Sequence, residues 1–529
     1  MARFEPGYGA PLKPLAQPGQ RVYVYRVSPG LAAMHYDWSI LSLRTATVLV
    51  LLLVLSGGAT LVTAQTATPA LPIVYQLVAD ASLLDDCPVC GRPSILVPMR
   101  GSFTLRLLDE SLPATHYALE NVHFTAGDRP YLVTGGGVLT LLGDFTVTLQ
   151  LSLAVQINDG YTNRTCYFTN ESTFLNRRWP MLDVTLTQTN GTFTQVYNLR
   201  LAAAPLREIW FSTATSFTAS TGDPAAKFTR GGDLLSTTGR QVKRNADLFT
   251  TVGAFPPGPD LGLDAIDVLP GAEIAFSLGS GITSDWLGQL QHGDLLSTRG
   301  IILHRNQELL AAFAPAKTND FGLDAAHVLP TGEVLFSLPT NVFSQRLNTT
   351  LQRGDLLSNQ GTVFRSNQQL LAAFHPPKPG GDYGLDAFYL WPNGEIWFST
   401  EDAFQDQVLG PIAGGDLLSD QGYVVYRNAD LLAAFAPTNA PADLGLDALF
   451  VVTDEVPLLP SPVLGLAFDS PKAGAQLTWS GRGGVFQLER SDRFEGPYQP
   501  FTPILPELSF TDPGALTNQG RMFYRVRQW

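Results

Sequence analysis

The sequence predicts an all-β protein, and three observations carry this prediction. One set of motifs recurs four times between residues 208 and 452, apolar and polar residues alternate in the region before it, and turn residues are abundant, with 49 Gly and 38 Pro among 529 residues. A constant repeat of about 60 residues indicates a repeat architecture. Alternation with a period of two is typical of strands with one buried face. Together these features favour packed β-sheets.

Composition limits the class of protein further. The chain is 45% hydrophobic and 15% charged, which indicates a folded protein. Its length allows about three domains. The net charge of −13 argues against a protein that binds the phosphates of nucleic acids. Three cysteines are too few for a disulfide-dense scaffold. We therefore expect no nucleic-acid partner.

Residues 1–64 carry the targeting information. Arg44 precedes an apolar run at 48–55, and Val62 to Ala64, before Gln65, have the form of a cleavage site. This pattern predicts a leader with a signal peptide, so that the protein is secreted or reaches the periplasm or cell surface. The alternative is an uncleaved single-pass anchor, because residues 46–62 are nearly long enough to span a bilayer. Only in that case do we expect a membrane partner.

Residues 65–205 are expected to form a β-sandwich. Apolar residues occupy every second position from Phe145 to Ile157, and the same alternation recurs at Leu182, Val184 and Leu186. Each such strand buries one face, and two sheets packed face to face provide the core for it.

All three cysteines fall in this domain, as the pair Cys87 and Cys90 and the distant Cys166. Outside the cytosol, we expect a disulfide from Cys166 to one member of the pair. The alternative is a zinc site completed by Cys166 with His116 or His123. Zinc needs four ligands, and nothing in the spacing of these residues demands that site. We therefore assign no metal.

Residues 208–452 comprise four copies, at 208–272, 273–332, 333–394 and 395–452. The Asp of a Gly-Asp pair recurs in them at a constant spacing of 61 residues. Each copy offers about four short strands separated by turn residues, which is typical of a propeller blade. The Leu-Leu-Ala-Ala-Phe segment at 431–435 of the fourth copy, which also occurs in the second and third copies, is a candidate extra strand.

The ends of the repeat region predict a closed ring. The first copy has no Leu-Asp-Ala strand before it, and the fourth copy ends on such a strand without a partner after it. In a ring, residues 445–452 pair beside residues 208–213 and complete a β-propeller-like domain of four blades, the lower limit for this architecture. The alternatives are an open stack, and a first sheet whose missing strand comes from residues 199–203.

Each copy contains the motif Asp-x-Gly-Leu-Asp. The second Asp of the motif is Asp264, Asp324, Asp386 and Asp447 in the four copies. Asp side chains accept hydrogen bonds in turns, and each copy also supplies an Arg as an ion-pair partner, as Arg305 does in the second. We expect such a structural role. The functional alternative is an oxygen-lined calcium site or an acidic ring in a central channel, so calcium is the only cofactor suggested.

The segment before the Gly-Asp pair varies most among the copies, and loops that vary on a constant scaffold commonly bind ligands. It carries the aromatic residues Phe217, Trp286, Phe343 and Phe404. Aromatic side chains exposed on loops suit a carbohydrate or protein ligand. The alternative is that each ring fills the gap between neighbouring blades.

Residues 453–462 form a proline-rich linker. Beyond it, Trp479 lies on an early strand, another strand ends at Ser491, and a late strand carries Tyr524 and Val526. On these residues, segment 463–529 resembles a fibronectin type III module without its usual last strand. The resemblance implies a small β-sandwich. The order of the pieces is similar to that of secreted multidomain proteins of environmental bacteria.

These features predict a secreted or cell-surface protein, without catalysis, that binds a carbohydrate or protein ligand or has a structural role. No metalloprotease, nucleophile-elbow or P-loop motif is present, so we assign no catalytic residue. The alternative class is a secreted carbohydrate-active enzyme, a hydrolase or lyase that uses ring carboxylates. A ring in which only one blade departs from the others at its carboxylates would favour the enzyme.

Overall fold

The computed structural model describes residues 72–529, except 112, 128–130, 144–146, 172, 175–178, 222–226, 257, 259, 318, 439–440, 456–458, 468–473 and 516–521. The described chain is all-β, with antiparallel strands and four short helices. The leader at 1–64 lies outside the described residues, so the signal peptide stays a prediction. In the part of the chain that is described, no helix is long and apolar enough to cross a membrane.

Ten strands build the N-terminal domain. They are β1 (Ile73–Leu77), β2 (Ser82–Asp86), β3 (Ile95–Ser111), β4 (Ala114–Ala126), β5 (Tyr131–Leu142), β6 (Thr148–Asn158), β7 (Asn163–Thr169), β8 (Thr173–Phe174), β9 (Leu182–Gln188) and β10 (Val196–Phe211). Their order is β1-β3-β4-β5-β6-β7-β9-β10, and β10 pairs back with β1. The sheet therefore closes on itself.

This closed sheet corrects the expectation of two separate sheets packed as a sandwich. The alternation itself is confirmed, because β6 buries every second residue. Alternation reports only that each strand has one buried face, and a closed sheet satisfies that condition as well as a sandwich does. Strand β10 makes the difference, since it pairs with β9 on one edge and with β1 and β2 on the other. Phe103, Phe124 and Phe168 fill the interior.

The repeat region contains four sheets of four strands. In spatial order they are β34 (Leu449–Thr453), the end of β10, β13 (Leu234–Ser236) and β14 (Arg240–Lys243); β15 (Ile266–Leu269), β16 (Glu273–Phe276), β19 (Leu295–Ser297) and β20 (Ile301–His304); β21 (Ala326–Val328), β22 (Val334–Phe336), β25 (Leu356–Ser358) and β26 (Thr362–Arg365); and β27 (Phe388–Leu390), β28 (Ile396–Phe398), β31 (Leu417–Ser419) and β32 (Tyr423–Tyr426). Each sheet begins with a strand that follows the Leu-Asp-Ala motif.

The four sheets form a ring. Strand β34, from the fourth copy, pairs with β10 in the first, with Trp210 opposite Phe450 and Phe211 opposite Leu449. The first strands of the four sheets contact one another in the cyclic order β15, β21, β27, β34. This is the pairing that the closed-ring hypothesis requires. Residues 199–203 do not supply the missing strand, because they pair with β9 in the N-terminal domain.

The Leu-Leu-Ala-Ala-Phe segments belong to helical turns, which corrects their assignment as a candidate strand. The helices are α1 (Asn245–Phe249), α2 (Asn306–Leu310), α3 (Asn367–Leu370) and α4 (Asn428–Leu431), and 3-10 turns follow at Thr250–Val252 and Ala311–Phe313. A local signal explains the difference. The Glu308 side chain accepts a hydrogen bond from the backbone N–H of Arg305, and Gln369 does the same for Ser366, as in a capping box.

Small hairpins occupy the variable segments. Their strands are β11 (Phe217–Ala219) with β12 (Phe228–Thr229) and β33 (Pro437–Thr438), β17 (Ile282–Ser284) with β18 (Gly288–Leu290), β23 (Val342–Ser344) with β24 (Thr349–Leu351), and β29 (Phe404–Asp406) with β30 (Gly410–Ile412). Ser284 pairs with Ala254, and Ser344 with Pro315, each from the preceding copy. The variable segments therefore lie at the junctions between neighbouring sheets.

The C-terminal domain consists of two sheets of three strands. They are β35 (Val463–Ala467), β36 (Ala475–Ser480) and β39 (Ser509–Asp512), and β38 (Gln499–Pro500), β37 (Phe486–Ser491) and β40 (Phe523–Gln528). Trp479 and Tyr524 are buried in its core. The domain packs on the ring, where the backbone N–H of Gly271 donates to the carbonyl of Gly483 at 2.9 Å.

Glu395 joins the N-terminal domain to the fourth sheet of the ring. Its buried carboxylate accepts hydrogen bonds from Ser419 Oγ at 2.6 Å and Tyr423 Oη at 2.7 Å within the ring. It also accepts from Gln76 Nε2 and, at 3.0 Å, from the backbone N–H of Gly101 in the closed sheet. Burial raises the pKa of Glu395, and the hydrogen bonds to its carboxylate oppose that rise.

Candidate binding sites of the ring

The second Asp of the repeated motif lies just before the first strand of each sheet. Because these four strands surround the axis of the ring, the side chains meet at one end of it. We call Asp264, Asp324, Asp386 and Asp447 the acid ring. Burial raises the pKa of Asp386, and the other three carboxylates raise it further. Burial likewise raises the pKa of Asp447 to about 7, with Asp264 contributing.

The first Asp of the motif has the turn role that the sequence predicts for such residues. Asp320 Oδ1 accepts hydrogen bonds from the backbone N–H of Gly293 at 3.0 Å and of Gly322 at 3.2 Å. Gly322 has a φ of +80°, which an L side chain rarely adopts. The same bonds recur at Asp260 and Asp382. The hydrogen bonds of the turn explain why the first position of the motif is Asp in each copy. They do not explain the second Asp, which forms the acid ring.

The repeated Arg residues do not neutralise the acid ring, which corrects the expected ion pairing. Arg305 Nη1 lies 2.6 Å from Asp294 Oδ2, and Arg427 Nη1 lies 2.7 Å from Asp416 Oδ2. Both partners belong to the Gly-Asp pair. The reason is position, because each Arg follows the fourth strand of its sheet, far from the first strand that lines the axis.

Two other basic residues approach the axis. His292 Nε2 lies 3.1 Å from Asp264 Oδ2, and this hydrogen bond raises the pKa of His292. Arg353 forms ion pairs with Glu401 and Asp402. His292 and Arg353 both occupy the position before the Gly-Asp pair, where the other two copies have glycine. The axial end is therefore unequal among the four copies, which the repeat motif alone does not indicate.

Glu401 adds a fifth carboxylate, and only the fourth copy has one at this position. Ala214, Gly279 and Pro339 stand there in the other copies. Asp324 is 8% exposed, and among the described residues no N–H group donates a hydrogen bond to its Oδ2. It faces the Glu401 carboxyl, and two carboxyls bond to each other only by sharing a proton. Burial raises the pKa of Asp324 to about 9, with Glu401 and Asp264 as the next causes.

A second axial layer lies three residues beyond the acid ring. Its members are Asp267, His327, Tyr389 and Phe450, one from each first strand and all different. His327 Nδ1 lies 3.1 Å from Asp267 Oδ2, and the Tyr389 ring centroid lies 6.4 Å from those of His327 and Phe450. Burial lowers the pKa of His327, but the Asp267 carboxylate outweighs burial and raises it.

The second layer borders open space. His327 keeps 23% of its side-chain surface accessible, and Tyr389 and Phe450 are half-buried, although strands surround all three. These side chains therefore keep some accessible surface inside the ring of first strands. Neither Glu401 nor the second layer was found from the sequence. Aligning the copies position by position gives the signal for both, since these positions change chemistry between copies.

The four aromatic candidates divide into two pairs. Phe217 and Phe404 are buried, at 4% and 7% exposure, against Phe435 and Phe374 of the preceding copy. They occupy the inward position of their hairpins, so the interpretation as ligand contacts is wrong for them and the gap-filling alternative is right. Trp286 and Phe343 are exposed, at 63% and 46%. These two remain candidates for ligand contact.

Trp286 lies in the hairpin turn of the second copy. Ser284 Oγ accepts hydrogen bonds from the backbone N–H of Trp286 and Leu287, which fixes the turn. The indole packs against Gly253, where a Cβ would come within 2.5 Å of its Cδ2. Its centroid lies 6.5 Å from that of Phe255, with the rings at 79°, and Phe255 is itself 60% exposed. The two rings form an open aromatic corner, and Phe255 was missed because it lies outside the variable segment.

The cysteines pair differently from the expectation. Cys87 and Cys90 form a disulfide with each other, and Cys166 is a buried free thiol. The expected bridge to Cys166 is wrong because its side chain points into the closed sheet, where burial raises its pKa. Among the described residues, no group of three or more His, Cys, Asp or Glu side chains is placed to hold a metal ion.

Comparison with known proteins adds no family. No protein-family model matches this sequence, and no curated protein matches it significantly.

Proposed function

We propose that the protein is a secreted or cell-surface binding protein without catalytic activity, whose repeat ring presents its ligand contacts at the junctions between sheets. The observation that carries the proposal is the open corner formed by Phe255 and Trp286. Large exposed aromatic side chains on a rigid scaffold are typical of binding surfaces. Export rests on the leader alone, and an uncleaved leader would make the protein membrane-anchored.

A carbohydrate is the ligand class that the corner favours over a protein. One face of the Trp286 indole is fixed against Gly253 and the other is open, so a flat sugar ring can stack on it while Phe255 borders its edge. The junction position also varies among copies, as Trp286, Arg346 and Val408. Such variation on a constant scaffold supports one specific site over a fourfold repeated one.

The test is a glycan array probed with the full chain. We expect binding to at least one glycan class, and loss of that binding in Trp286→Ala. Tyr161→Ala is the matched control, because Tyr161 is 86% exposed on a hairpin of the N-terminal domain and should contribute nothing. Equal loss in both variants, or no glycan bound by the parent chain, contradicts the proposal of a carbohydrate ligand.

A second candidate function is a carbohydrate-active enzyme, which one observation favours. Only the fourth copy departs at its carboxylates, by adding Glu401 beside Asp324, whose pKa of about 9 keeps it protonated at neutral pH as a general acid must be. The distance between the two carboxyls argues against an enzyme. The paired carboxyls of glycosidases stand about 5–9.5 Å apart so that sugar or water fits between them, whereas Asp324 and Glu401 are in contact. Release of reducing sugar from the glycan bound by the parent chain, abolished in Glu401→Gln, would establish the enzyme.

A further inference from the structure

Strand β40 of the C-terminal domain has a partner on one side only. It pairs antiparallel with β37, and no other strand of the described chain pairs with it. An edge strand presents unpaired backbone N–H and C=O groups, and an extended segment of another chain can bind to them as an additional strand. The free edge of β40 is therefore a candidate docking site.

The hydrogen bonds at the end of β40 show which backbone groups are free. Val485 and Trp529 exchange both backbone hydrogen bonds, at 3.0 and 3.3 Å. Because bonded and non-bonded pairs alternate in an antiparallel ladder, Arg525 and Arg527 bond to β37 in the same way. The N–H and C=O groups of the alternate residues point away from β37, and no backbone group of the described chain bonds to them. These residues are Tyr524, Val526 and Gln528.

Two apolar side chains of the domain core are incompletely covered near this edge. Val526 on β40 and Leu466 on β35 pack against the core, but both are only half-buried. Strand β35 is itself the edge of the other sheet, and it contacts β40 across the sandwich. A strand added beside β40 would direct every second side chain towards this part of the core. Apolar residues at those positions are therefore favoured.

The opposite face of β40 carries two arginines, because side chains alternate along a strand. Arg525 forms an ion pair with Glu489, and Arg527 Nη2 lies 2.6 Å from Asp454 Oδ1. The arginine side chains remain 38% and 36% accessible. A guanidinium has five N–H donors, so each can bind a second carboxylate. Acidic residues directly opposite the arginines are therefore favoured on an added strand.

The same arginines argue against a second copy of this chain as the occupant. Two β40 strands paired antiparallel about Val526 would place Arg525 of one copy directly opposite Arg527 of the other. Like charges directly opposite each other destabilise a pair of strands. The edge therefore favours a different chain, with the opposite charge on this face.

We propose that the free edge of β40 binds an extended segment of a partner protein, which adds a fourth strand to the sheet. The segment alternates apolar residues, directed towards Val526 and Leu466, with acidic residues opposite the two arginines. Its central residue exchanges backbone hydrogen bonds with Val526. This site is separate from the aromatic corner at Trp286, so the two proposals stand or fall independently.

The test is the fluorescence anisotropy of a labelled peptide titrated with the full chain. The peptide Thr-Val-Glu-Val-Glu-Val-Thr places its central Val opposite Val526 and a Glu opposite each arginine. We expect saturable binding. N-methylation of the central Val removes the N–H that bonds to β40 and should weaken binding at least ~10-fold. A peptide with Lys in place of both Glu residues should bind at least ~3-fold more weakly.

Val526→Pro tests the same contact from the side of the protein. It removes an N–H group that the sheet itself does not use, and proline is tolerated at such positions of edge strands. We expect a folded protein by circular dichroism, with its affinity for the peptide lowered at least ~10-fold. Val526→Thr is the matched control, because it keeps the N–H group and a β-branched side chain, and its affinity should stay within ~2-fold of the parent.

Absence of saturable binding to the parent chain overturns the proposal. So does a folded Val526→Pro variant with unchanged affinity. An N-methylated peptide that binds as tightly as the unmodified one also overturns it, and this comparison holds even if Val526→Pro does not fold. A dimer in analytical ultracentrifugation that dissociates in Val526→Pro, without peptide binding to the parent chain, would assign the edge to a second copy instead.

Discussion

At the scale of residues, repetition has an electrostatic consequence. Along an extended chain, one Asp in each copy lies too far from the others for repulsion. The ring, however, brings together four carboxylates at one axis, those of Asp264, Asp324, Asp386 and Asp447. Burial and mutual repulsion then raise the pKa values of Asp324 and Asp447 to about 9 and about 7. The repeated Arg residues lie too far out to compensate.

These raised pKa values predict that the fold is more stable in mild acid than in base. Asp324 and Asp447 hold protons in the folded state at pH values where the unfolded chain, whose Asp residues have a pKa of about 4, has released them. Their contribution is therefore complete below about pH 4 and is lost as the pH rises through about 7 and then about 9. Thermal melts should show that Tm falls as the pH is raised from about 7 to about 9.

Asp324→Asn tests the cause of that pH dependence. The amide carries no charge and can donate to Glu401, so we expect the free energy of unfolding at about pH 9 to rise by roughly 1–3 kcal/mol and the pH dependence to flatten. Asp492→Asn, on the exposed surface, should change neither. The charged groups that face this site are the rest of the acid ring, Glu401, His292 and Arg353, and all remain in the variant. If the unfolding free energy of Asp324→Asn keeps the same slope against pH as that of the parent chain, a group other than Asp324 causes the pH dependence.

Glu395 gives a prediction with a control built into the repeat. Its carboxylate is buried and accepts hydrogen bonds from both the ring and the closed sheet, whereas Glu333, its equivalent in the third copy, is half-buried and accepts from Ser358. Glu395→Gln should lower the free energy of unfolding by roughly 2–4 kcal/mol in chemical denaturation. Glu333→Gln should cost less than about 1 kcal/mol. Equal costs in the two variants would show that the contacts between Glu395 and the N-terminal domain do not contribute to stability.

At the scale of elements, each helix is tied to the turn that positions the acid ring. Asn306, the first residue of α2, donates from Nδ2 to the carbonyl of Gly322 at 2.8 Å, and its Oδ1 accepts from the backbone N–H of Phe321 at 3.0 Å. Buried Asn245, Asn367 and Asn428 occupy the same place in the other copies. The first residue of the helix therefore fixes the Asp-x-Gly-Leu-Asp turn through hydrogen bonds to its backbone.

Asn306→Ala should destabilise the protein by about 2–3 kcal/mol, because it leaves buried backbone groups without partners. Gln368→Ala, at the exposed second position of α3, is the control and should cost less than about 0.5 kcal/mol. Denaturant titration of the two variants measures the difference. A small effect in Asn306→Ala would show that the turn is held by its own hydrogen bonds.

The short helices also show that an apolar pattern does not distinguish a helix from a strand in a segment of this length. Leu309 and Leu310 followed by Phe313 satisfy a strand and a helical turn equally well over so few residues. The capping residue Glu308, which decides between them, lies just outside the apolar run. In the hairpins, a single-residue shift of register separates buried Phe404 from exposed Phe343. Register is set by the paired strand and the junction, which one copy of the sequence does not contain.

At the scale of the whole molecule, the repeat was the most informative part of the sequence. A constant spacing of 61 residues and the unmatched ends of the first and fourth copies predicted which segments meet. The closed N-terminal sheet was not predicted, because closure depends on pairings between strands more than 100 residues apart, such as β1 with β10. The domain boundary expected near residue 205 falls inside β10, which is shared by the closed sheet and the ring.

Ring closure brings the acid ring, Glu401 and the second layer to one axis. Ile209 and Val451 are direct partners in the closing pair of strands. Cysteines at directly paired positions fall within the Cα separation of about 4.4–6.8 Å that a disulfide allows. Mass spectrometry of the oxidised double variant Ile209→Cys/Val451→Cys, digested without reduction, tests this directly. The closed ring predicts a cross-linked peptide pair containing both positions, and no such pair from the shifted control Ile209→Cys/Leu449→Cys. A folded protein in which 209 and 451 stay unlinked would contradict closure.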